Sequence, residues 1–542
     1  MSTQANSVGA ENRREGESLS LSPSLLLASV AVVMAVWILY SYRFYYQDDA
    51  FISLRYVHNL LTHGELAWNP GERVEGFTNF LFVMLTAALQ SLGLEPMMST
   101  RVAGFSALAF IAAAFLPAMR RFVPLDAALV GWAFAISSMP FLVWVWGGLE
   151  GPLFGALVFA LHACVLMALK QPRAWQWLPL AGVVAALAVM TRQDGAIFVV
   201  ISGLVILLGS GSFREGFFRA FRFAACGAPF IIGFLAFRYA YYGEFLPNTY
   251  YVKASANLLE GLKYVALYAL QPPLLPILAL VAGVFGWRGR YRREVAYLGA
   301  SAGLYALYVA SVGGDHMAQY RLLAPLAALF AMLVSFGASE VLPRIARPLI
   351  PAATLSTLIV LQSFVVTGKR WDQAAVMGTI VGQYIAEAWP PGALIALNTA
   401  GSTAFYNPDK RFIDMLGLND AVIARRDIPA IRLRRQHWPG HNKGDGAYVL
   451  SRRPDYIILA AADGRDVSDP WFLSDIELVE NPKFLQCYAQ NKVFIPYSYP
   501  EVDTVMPYDR TGPLTGPQKR ILLPFVYYKR KDRPECGRGG AK

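Results

Sequence analysis

The chain has 542 residues, of which 55% are hydrophobic and 16% charged, and its mean hydropathy is +0.39. Soluble domains carry about 25% charged residues, so neither a cytosolic enzyme nor a disordered chain fits this composition. The net charge of +11 would suggest nucleic acid as a partner in a soluble protein. Here the Lys and Arg residues cluster between long apolar runs, which points to a lipid bilayer and away from nucleic acid. The four cysteines are too few for a disulfide scaffold, and no paired C-x-x-C spacing marks a zinc site.

Residues 1–24 form a polar tail containing Arg13 and Arg14. No small-residue cleavage site follows the first apolar run, so an uncleaved first helix with a cytoplasmic N-terminus is expected. From 25 to 366 apolar segments succeed one another, at roughly 25–42, 77–93, 101–118, 125–145, 152–170, 177–191, 196–210, 220–241, 270–287, 295–312, 321–338 and 349–366. About 20 apolar residues span a bilayer. One set of connecting loops holds Arg120 and Arg121, Lys170 and Arg173, Arg214, Arg219 and Arg222, Arg288, Arg290, Arg292 and Arg293, and Arg344 and Arg347. The alternate turns hold only Arg192, Lys253 and Lys263. Short cytoplasmic loops carry the excess of Lys and Arg, so the basic set faces the cytoplasm. An even number of crossings must then precede Arg120, although three apolar segments do. The 77–93 segment or its neighbour is therefore expected to be re-entrant or interfacial, leaving about eleven crossings.

After residue 366 the apolar runs stop, and 393–397 and 456–460 read as short buried strands with Pro and Gly punctuation between them. The sequence thus predicts a polytopic α-helical membrane protein with about eleven transmembrane helices over 25–366, a first outer loop at 43–76, and an extracytoplasmic α/β domain over 367–542. Cys487 and Cys536 fall in that domain and could pair in its oxidising setting. Cys164 and Cys226 lie in spans as packing residues.

The cation-poor turns gather the acidic and polar residues of the membrane half: Asp48-Asp49 after the first span, Glu72 and Glu75, Glu150, Thr191-Arg192-Gln193-Asp194-Gly195, Asn248 to Lys253, and Gly313-Gly314-Asp315-His316 with Arg321. Ionisable residues at membrane depth cost about 2.5 to 3.5 kcal/mol on insertion scales. Their concentration on one side describes a polar cavity open outward. Phe51, Leu54, Val57 and Leu61 fall at helical spacing, so Asp48 and Asp49 stand at the N-terminal end of an amphipathic helix. One Asp could be a plain N-cap; two adjacent acids exceed what a cap requires, and a carboxylate there suits a general base. Arg192 with Asp194 could be a simple ion pair, and Arg321 could merely begin a helix. The alternative is that the guanidinium groups, with Lys253 and His316, bind a phosphate. Glu150 could orient an acceptor or be a solvated turn residue. In the C-terminal part, His437-Trp438-Pro439-Gly440-His441-Asn442-Lys443 places aromatic, His and Lys side chains on one turn, which reads as a ligand-contacting loop more readily than as a metal site.

Asp48-Asp49-Ala50-Phe51-Ile52-Ser53-Leu54-Arg55-Tyr56, then Asn69-Pro70-Gly71-Glu72-Arg73-Val74-Glu75-Gly76-Phe77-Thr78-Asn79, resembles the integral-membrane glycosyltransferases of the GT-C superfamily. More closely it is similar to the mycobacterial terminal β-(1→2) arabinofuranosyltransferases. The likeness continues through Gly148-Leu149-Glu150, Thr191 to Gly195, Pro247-Asn248-Thr249-Tyr250-Tyr251-Val252-Lys253, Gly313-Gly314-Asp315, Asp414 to Leu418 and Gly440-His441-x-Lys443. It implies a GT-C fold with a soluble extracytoplasmic part, set in a bacterial inner membrane, and a polyprenyl-phosphate sugar as donor. The resemblance implies that Asp48 and Asp49 are catalytic or acceptor-binding. With the charge and turn chemistry of the outer turns, Arg192, Arg321, His316, Lys253, Asn248, Tyr250, His441 and Lys443 are expected at the donor phosphate or substrate, and Glu75, Glu150, Asp194 and Asp315 at the acceptor or in an orienting role. No cofactor is expected and a divalent-metal requirement stays open. Two departures stand out: His316 occupies a place where an aromatic such as Phe is expected, and the C-terminal region is shorter than in the mycobacterial enzymes. The acceptor therefore stays open between a glycan and a surface protein such as a pilin. The donor sugar stays open between arabinofuranose and another such as mannose. A flippase is the alternative from a different class, disfavoured by the absence of internal repeats.

Overall fold

The computed structural model describes residues 22–170, 176–253, 257–365, 371–428, 430–497 and 521–536. Among the described residues, five helices are long and apolar enough to cross a bilayer: Pro23–Ser41, Pro96–Met119, Gly151–Lys170, Phe213–Tyr242 and Ala324–Arg344. Two further apolar stretches are broken, Leu125–Ser137 from Met139–Trp146 by 44° and Leu258–Leu270 from Leu275–Arg288 by 78°. Each break has a proline at hand, Pro140 in the first and Pro272 and Pro273 in the second, because proline supplies no N–H to the helical ladder. At the first break the freed Met139 N–H donates instead to the Gln362 side chain at 2.9 Å. Shorter apolar helices run over Phe80–Ser91, Trp177–Thr191, Gln193–Leu208 and Leu349–Gln362. Phe80–Ser91 has 12 residues and would extend about 18 Å at 1.5 Å per residue, well under the hydrocarbon thickness of about 30 Å. The 77–93 segment is thus short where a re-entrant or interfacial element was expected.

The helices share one apolar core that includes Phe115, Phe134, Phe159, Phe198 and Phe336. Without a hydrophobic drive between helices in lipid, small residues permit close approach. Trp177–Thr191 and Phe213–Tyr242 meet at Gly182 and Gly227, where a Cβ on either glycine would collide with the backbone of the other helix.

The first outer loop is built around the helix Asp48–His63, which Gly64 ends in the left-handed conformation (φ 71°). Phe51, Leu54 and Val57 are buried as their spacing predicts, whereas Leu61 is exposed. Ile52, Tyr56 and Val57 from this helix share a core with Trp371, Ile380, Ile395 and Leu397 of the C-terminal part. Buried Arg55 pins the contact, donating to the carbonyls of Trp68 (2.7 Å), Asn407 (3.1 Å), Lys410 (2.9 Å) and Ala404. The loop helix therefore mortars the membrane half to the C-terminal part.

That part is α/β, as the sequence predicts. Its five strands are β1 (Leu394–Leu397), β2 (Arg411–Asp414), β3 (Tyr456–Ile457), β4 (Tyr488–Tyr497) and β5 (Ile521–Arg530), in the order β2-β1-β3-β5-β4. β1 runs parallel to β2 and β3, while β5 is antiparallel to β3 and β4. Cys487 and Cys536 form a disulfide that ties the start of β4 to the segment after β5. The carboxyl ends of the parallel strands face the outer turns of the helical half, and the site lies between them.

Candidate functional site

A cavity of about 1070 Å³ lies where the cation-poor turns meet the C-terminal domain. Of the residues singled out by sequence, Asp48, Asp49, Glu150, Arg192, Asp194, Tyr250, Lys253, Asp315, His316, Arg321 and His441 line it. Turns separated by up to several hundred residues are thus brought to one place.

Neither acid of the pair caps its own helix, because the N-cap position is Gln47 and it makes no side-chain cap bond. Instead the buried Asp48 carboxylate accepts from the backbone N–H of Ser402 (2.8 Å), the Ser402 hydroxyl (2.7 Å) and the Gly401 N–H (3.2 Å). It therefore clamps the outer loop to the turn after β1. Burial raises its pKa, opposed by the Ser402 bonds. Asp49 is half-buried and lines the cavity; among the described residues nothing donates a hydrogen bond to it. Its charge acts on Lys253 and Arg321, which places a free carboxylate and two cations in one chamber.

The cations differ in their freedom. Arg192 is fully engaged: Nη1 meets Glu150 at 2.7 Å and Nη2 meets Asp194 at 2.8 Å, while Asn79 donates to Glu150 and Tyr305 to Asp194 at 3.1 Å each. Arg321 Nη2 pairs with Asp315 at 2.7 Å, but its buried Nε has no partner. Burial would raise the Asp315 pKa, yet Arg321, His316 and Lys253 outweigh it and hold the carboxyl near 2. Lys253 opens onto the cavity and has no acceptor among the described residues. Desolvation by the protein packed around it, and then the Arg321 charge, lower its pKa. Lys253, and Arg321 with its Nε unpartnered, are accordingly the cavity-lining cations left to meet an anion.

Glu75, Asn248 and Lys443 stand apart from the cavity lining. Glu75 forms a buried ion pair with Arg238 at 2.8 Å; Asn248 donates to the carbonyls of Gly417 (2.8 Å) and Leu418 (3.0 Å); Lys443 donates to the Arg426 carbonyl at 2.6 Å. Each holds one part of the chain to another. His441 is packed edge-on against His316, with ring centroids 4.6 Å apart, and burial and then His316 push its pKa to about 3. A neutral His441 is the form present at neutral pH.

Sequence reasoning missed Asp372. It lines the cavity and its carboxylate accepts from the N–H groups of Ala375 (3.0 Å) and Asp48 (3.2 Å). Burial, then the nearby Asp48, raise its pKa to about 7. An N-cap signal before Gln373–Ala388 was available, but nothing local marked the residue as a neighbour of Asp48. Asn398 and Trp471 also line the cavity without any motif to announce them. Among the described residues no group of three or more His, Cys, Asp or Glu side chains is arranged to hold a metal ion.

The helical half with an α/β domain over one set of its turns is a GT-C fold. ArnT from Cupriavidus metallidurans, solved bound to undecaprenyl phosphate, superposes with a TM-score of 0.51 at 14% identity, over 72% of this chain and 85% of that one. In sequence, the chain is similar to the terminal β-(1→2)-arabinofuranosyltransferases of Corynebacterium glutamicum and Mycobacterium tuberculosis. Identity is 26% over 370 residues with the first, covering 60% of this chain, and 26% over 359 residues with the second, covering 57%. The chain spans about half the length of these relatives, 52% and 55% respectively. Residues 368–508 match the model of a domain of unknown function, DUF8728.

Proposed function

We propose that this protein is a bacterial inner-membrane glycosyltransferase. It transfers arabinofuranose from a polyprenyl-phosphate donor to a glycan or protein acceptor outside the cytoplasm, with the N-terminus cytoplasmic and the 367–542 domain extracytoplasmic. The supporting observation is the placement of Asp49, Lys253 and Arg321 around one cavity. A polyprenyl phosphate anchored in lipid delivers its headgroup to that level, and undecaprenyl phosphate is what the ArnT structure carries. The 26% identity to arabinofuranosyltransferases favours arabinofuranose as the sugar.

In the reaction the acceptor hydroxyl oxygen bonds to the anomeric carbon as the bond from that carbon to the phosphate oxygen breaks. The hydroxyl proton passes to the carboxylate pair, and Asp49 is the member with no donor already on it. Such a base is worth about 10² to 10⁴ in rate. The departing phosphate gains negative charge, which Lys253 and the Arg321 Nε stabilise through charge-assisted hydrogen bonds. The Glu150–Arg192–Asp194 lattice braces the turns that carry these groups. Purified protein offered a synthetic polyprenyl-phosphate arabinofuranose and the matching mannose donor tests the assignment. Transfer of arabinofuranose in preference to mannose is expected; transfer of neither sugar to glycan or protein acceptors overturns it.

A further inference from the structure

The C-terminal domain contributes a wall of the cavity that donor binding and the base leave unused. In an open α/β sheet, ligands bind outside the carboxyl ends of the strands, at the point where successive connections depart in opposite directions. With the order β2-β1-β3, β1 leads to its neighbour on one side while β3 joins it on the other. The crevice lies between these two strands. Asn398, Thr399 and Ala400 after β1, and Ala461, Ala462 and Asp463 beyond β3, all line the cavity.

Two further features point to an occupant. Asn398 is 3% exposed and its Nδ2 donates to Asp475 at 2.9 Å, but its Oδ1 has no partner. Asp475 is itself fixed by the N–H groups of Trp471 (3.0 Å) and Phe472 (2.9 Å), so Asn398 is held in place with an acceptor left over. A buried acceptor without a donor is costly, and a ligand hydroxyl would relieve it. Two tryptophans line the same cavity. Trp438 is 41% exposed with its ring stacked at 7° on His316, whereas Trp471 is already packed against the guanidinium groups of Arg435 at 3.7 Å and Arg465 at 5.0 Å.

We infer that this crevice is an acceptor subsite that takes a sugar ring of a glycan, with Trp438 facing the ring's C–H surface and Asn398 Oδ1 accepting from a hydroxyl. The combination of broad apolar faces and a fixed hydroxyl acceptor suits a sugar, which carries both on one small rigid body. A peptide docking by strand addition would need a free strand edge, and β1 and β3 are interior strands paired on both sides. The subsite rests on the proposed transferase reading for what becomes of the bound hydroxyl, but the binding itself stands apart from turnover. Trp438 is a positioning residue, because it orients the acceptor without touching the reacting atoms.

The test uses the full chain in detergent and the octyl glycoside of an arabinofuranosyl disaccharide as probe. Without donor, the disaccharide should quench tryptophan fluorescence of the wild type, and Trp438→Ala should weaken that binding about tenfold or more. In turnover Trp438→Ala should raise the acceptor KM by a similar factor while the donor KM stays put, and Trp438→Phe should recover most of the loss. Half-exposed Trp438 can be changed without emptying a core. An unchanged acceptor affinity in Trp438→Ala, or a wild type that does not bind the disaccharide, overturns the subsite. Binding of a Ser/Thr-rich peptide in place of the disaccharide overturns the choice of a glycan. A wild type that binds the disaccharide with the expected Trp438 dependence, yet transfers no sugar to it, supports the subsite and removes the transferase reading alone.

Discussion

Replacing the two adjacent acids separately should give two different failures. Asp49→Asn removes a carboxylate to which no described group donates, so folding stability should change by no more than about 0.5 kcal/mol, as for surface substitutions without a special partner. Turnover should fall about 10² to 10⁴-fold, the usual worth of a general base, equivalent to about 3 to 5 kcal/mol of barrier at 1.36 kcal/mol per decade. Asp48→Asn instead disturbs three hydrogen bonds, from Ser402 N–H, Ser402 Oγ–H and Gly401 N–H. The amide oxygen can keep one or two of them, while its NH₂ group faces a donor. With bonds to a charged group worth about 1.5 to 3 kcal/mol each, stability should fall by about 2 kcal/mol, and turnover with it because the loop that carries Asp49 loosens. Gly401→Ala should imitate that second failure, since its Cβ would sit 2.5 Å from Asp48 Oδ2 and collide with the Asp48 carbonyl. The assay pairs thermal unfolding in detergent with kcat from radiolabelled donor. Asp49→Asn turning over within threefold of wild type would refute the assignment of the base, and Asp48→Asn with unaltered unfolding would refute the clamp.

Glu75→Gln leaves the buried Arg238 guanidinium without its carboxylate, so unfolding should shift by about 3 to 5 kcal/mol, the cost of breaking a buried pair. The donor KM in the surviving folded enzyme should be unaltered, since Glu75 does not line the cavity; a large KM change with unaltered stability would return Glu75 to the substrate. Asp372, with its pKa raised to about 7 from an unfolded value near 4, holds its proton more tightly folded than unfolded. Its contribution to stability is therefore fully present below about pH 4 and is lost as pH rises through about 7. Asp372→Asn should flatten that part of the stability profile between pH 4 and 8, and an unchanged slope would count against the buried carboxyl.

Much of the architecture was legible because bilayer length is a linear property of sequence. Apolar runs near 20 residues, the Arg-rich loops and the strand-like 393–397 and 456–460 segments all announce themselves locally. The acidic pair was legible for the same reason, as a polar interruption directly after the first span. What the two acids do was not, because the partners of Asp48 are Gly401 and Ser402, more than 350 residues away. The same limit explains Glu75, whose position in a polar outer turn suggested substrate contact. Its partner Arg238 lies inside the long helix Phe213–Tyr242, where an arginine on an apolar stretch gave no hint of what it meets. Asp372, Asn398 and Trp471 reach the cavity only because the sheet delivers its strand ends there. Strand order is a tertiary property that alternation and turn residues do not encode.

The account depends on a lipid-borne phosphate being held by Lys253 and Arg321 in the outward cavity. Native mass spectrometry of the protein with a polyprenyl phosphate measures that contact without any acceptor or turnover. One lipid per chain is expected, with affinity reduced about ten- to a hundredfold in Lys253→Met, the worth of one charge-assisted bond, and unaltered in Lys443→Met, which lies off the cavity. Equal binding by the wild type and Lys253→Met would contradict the account.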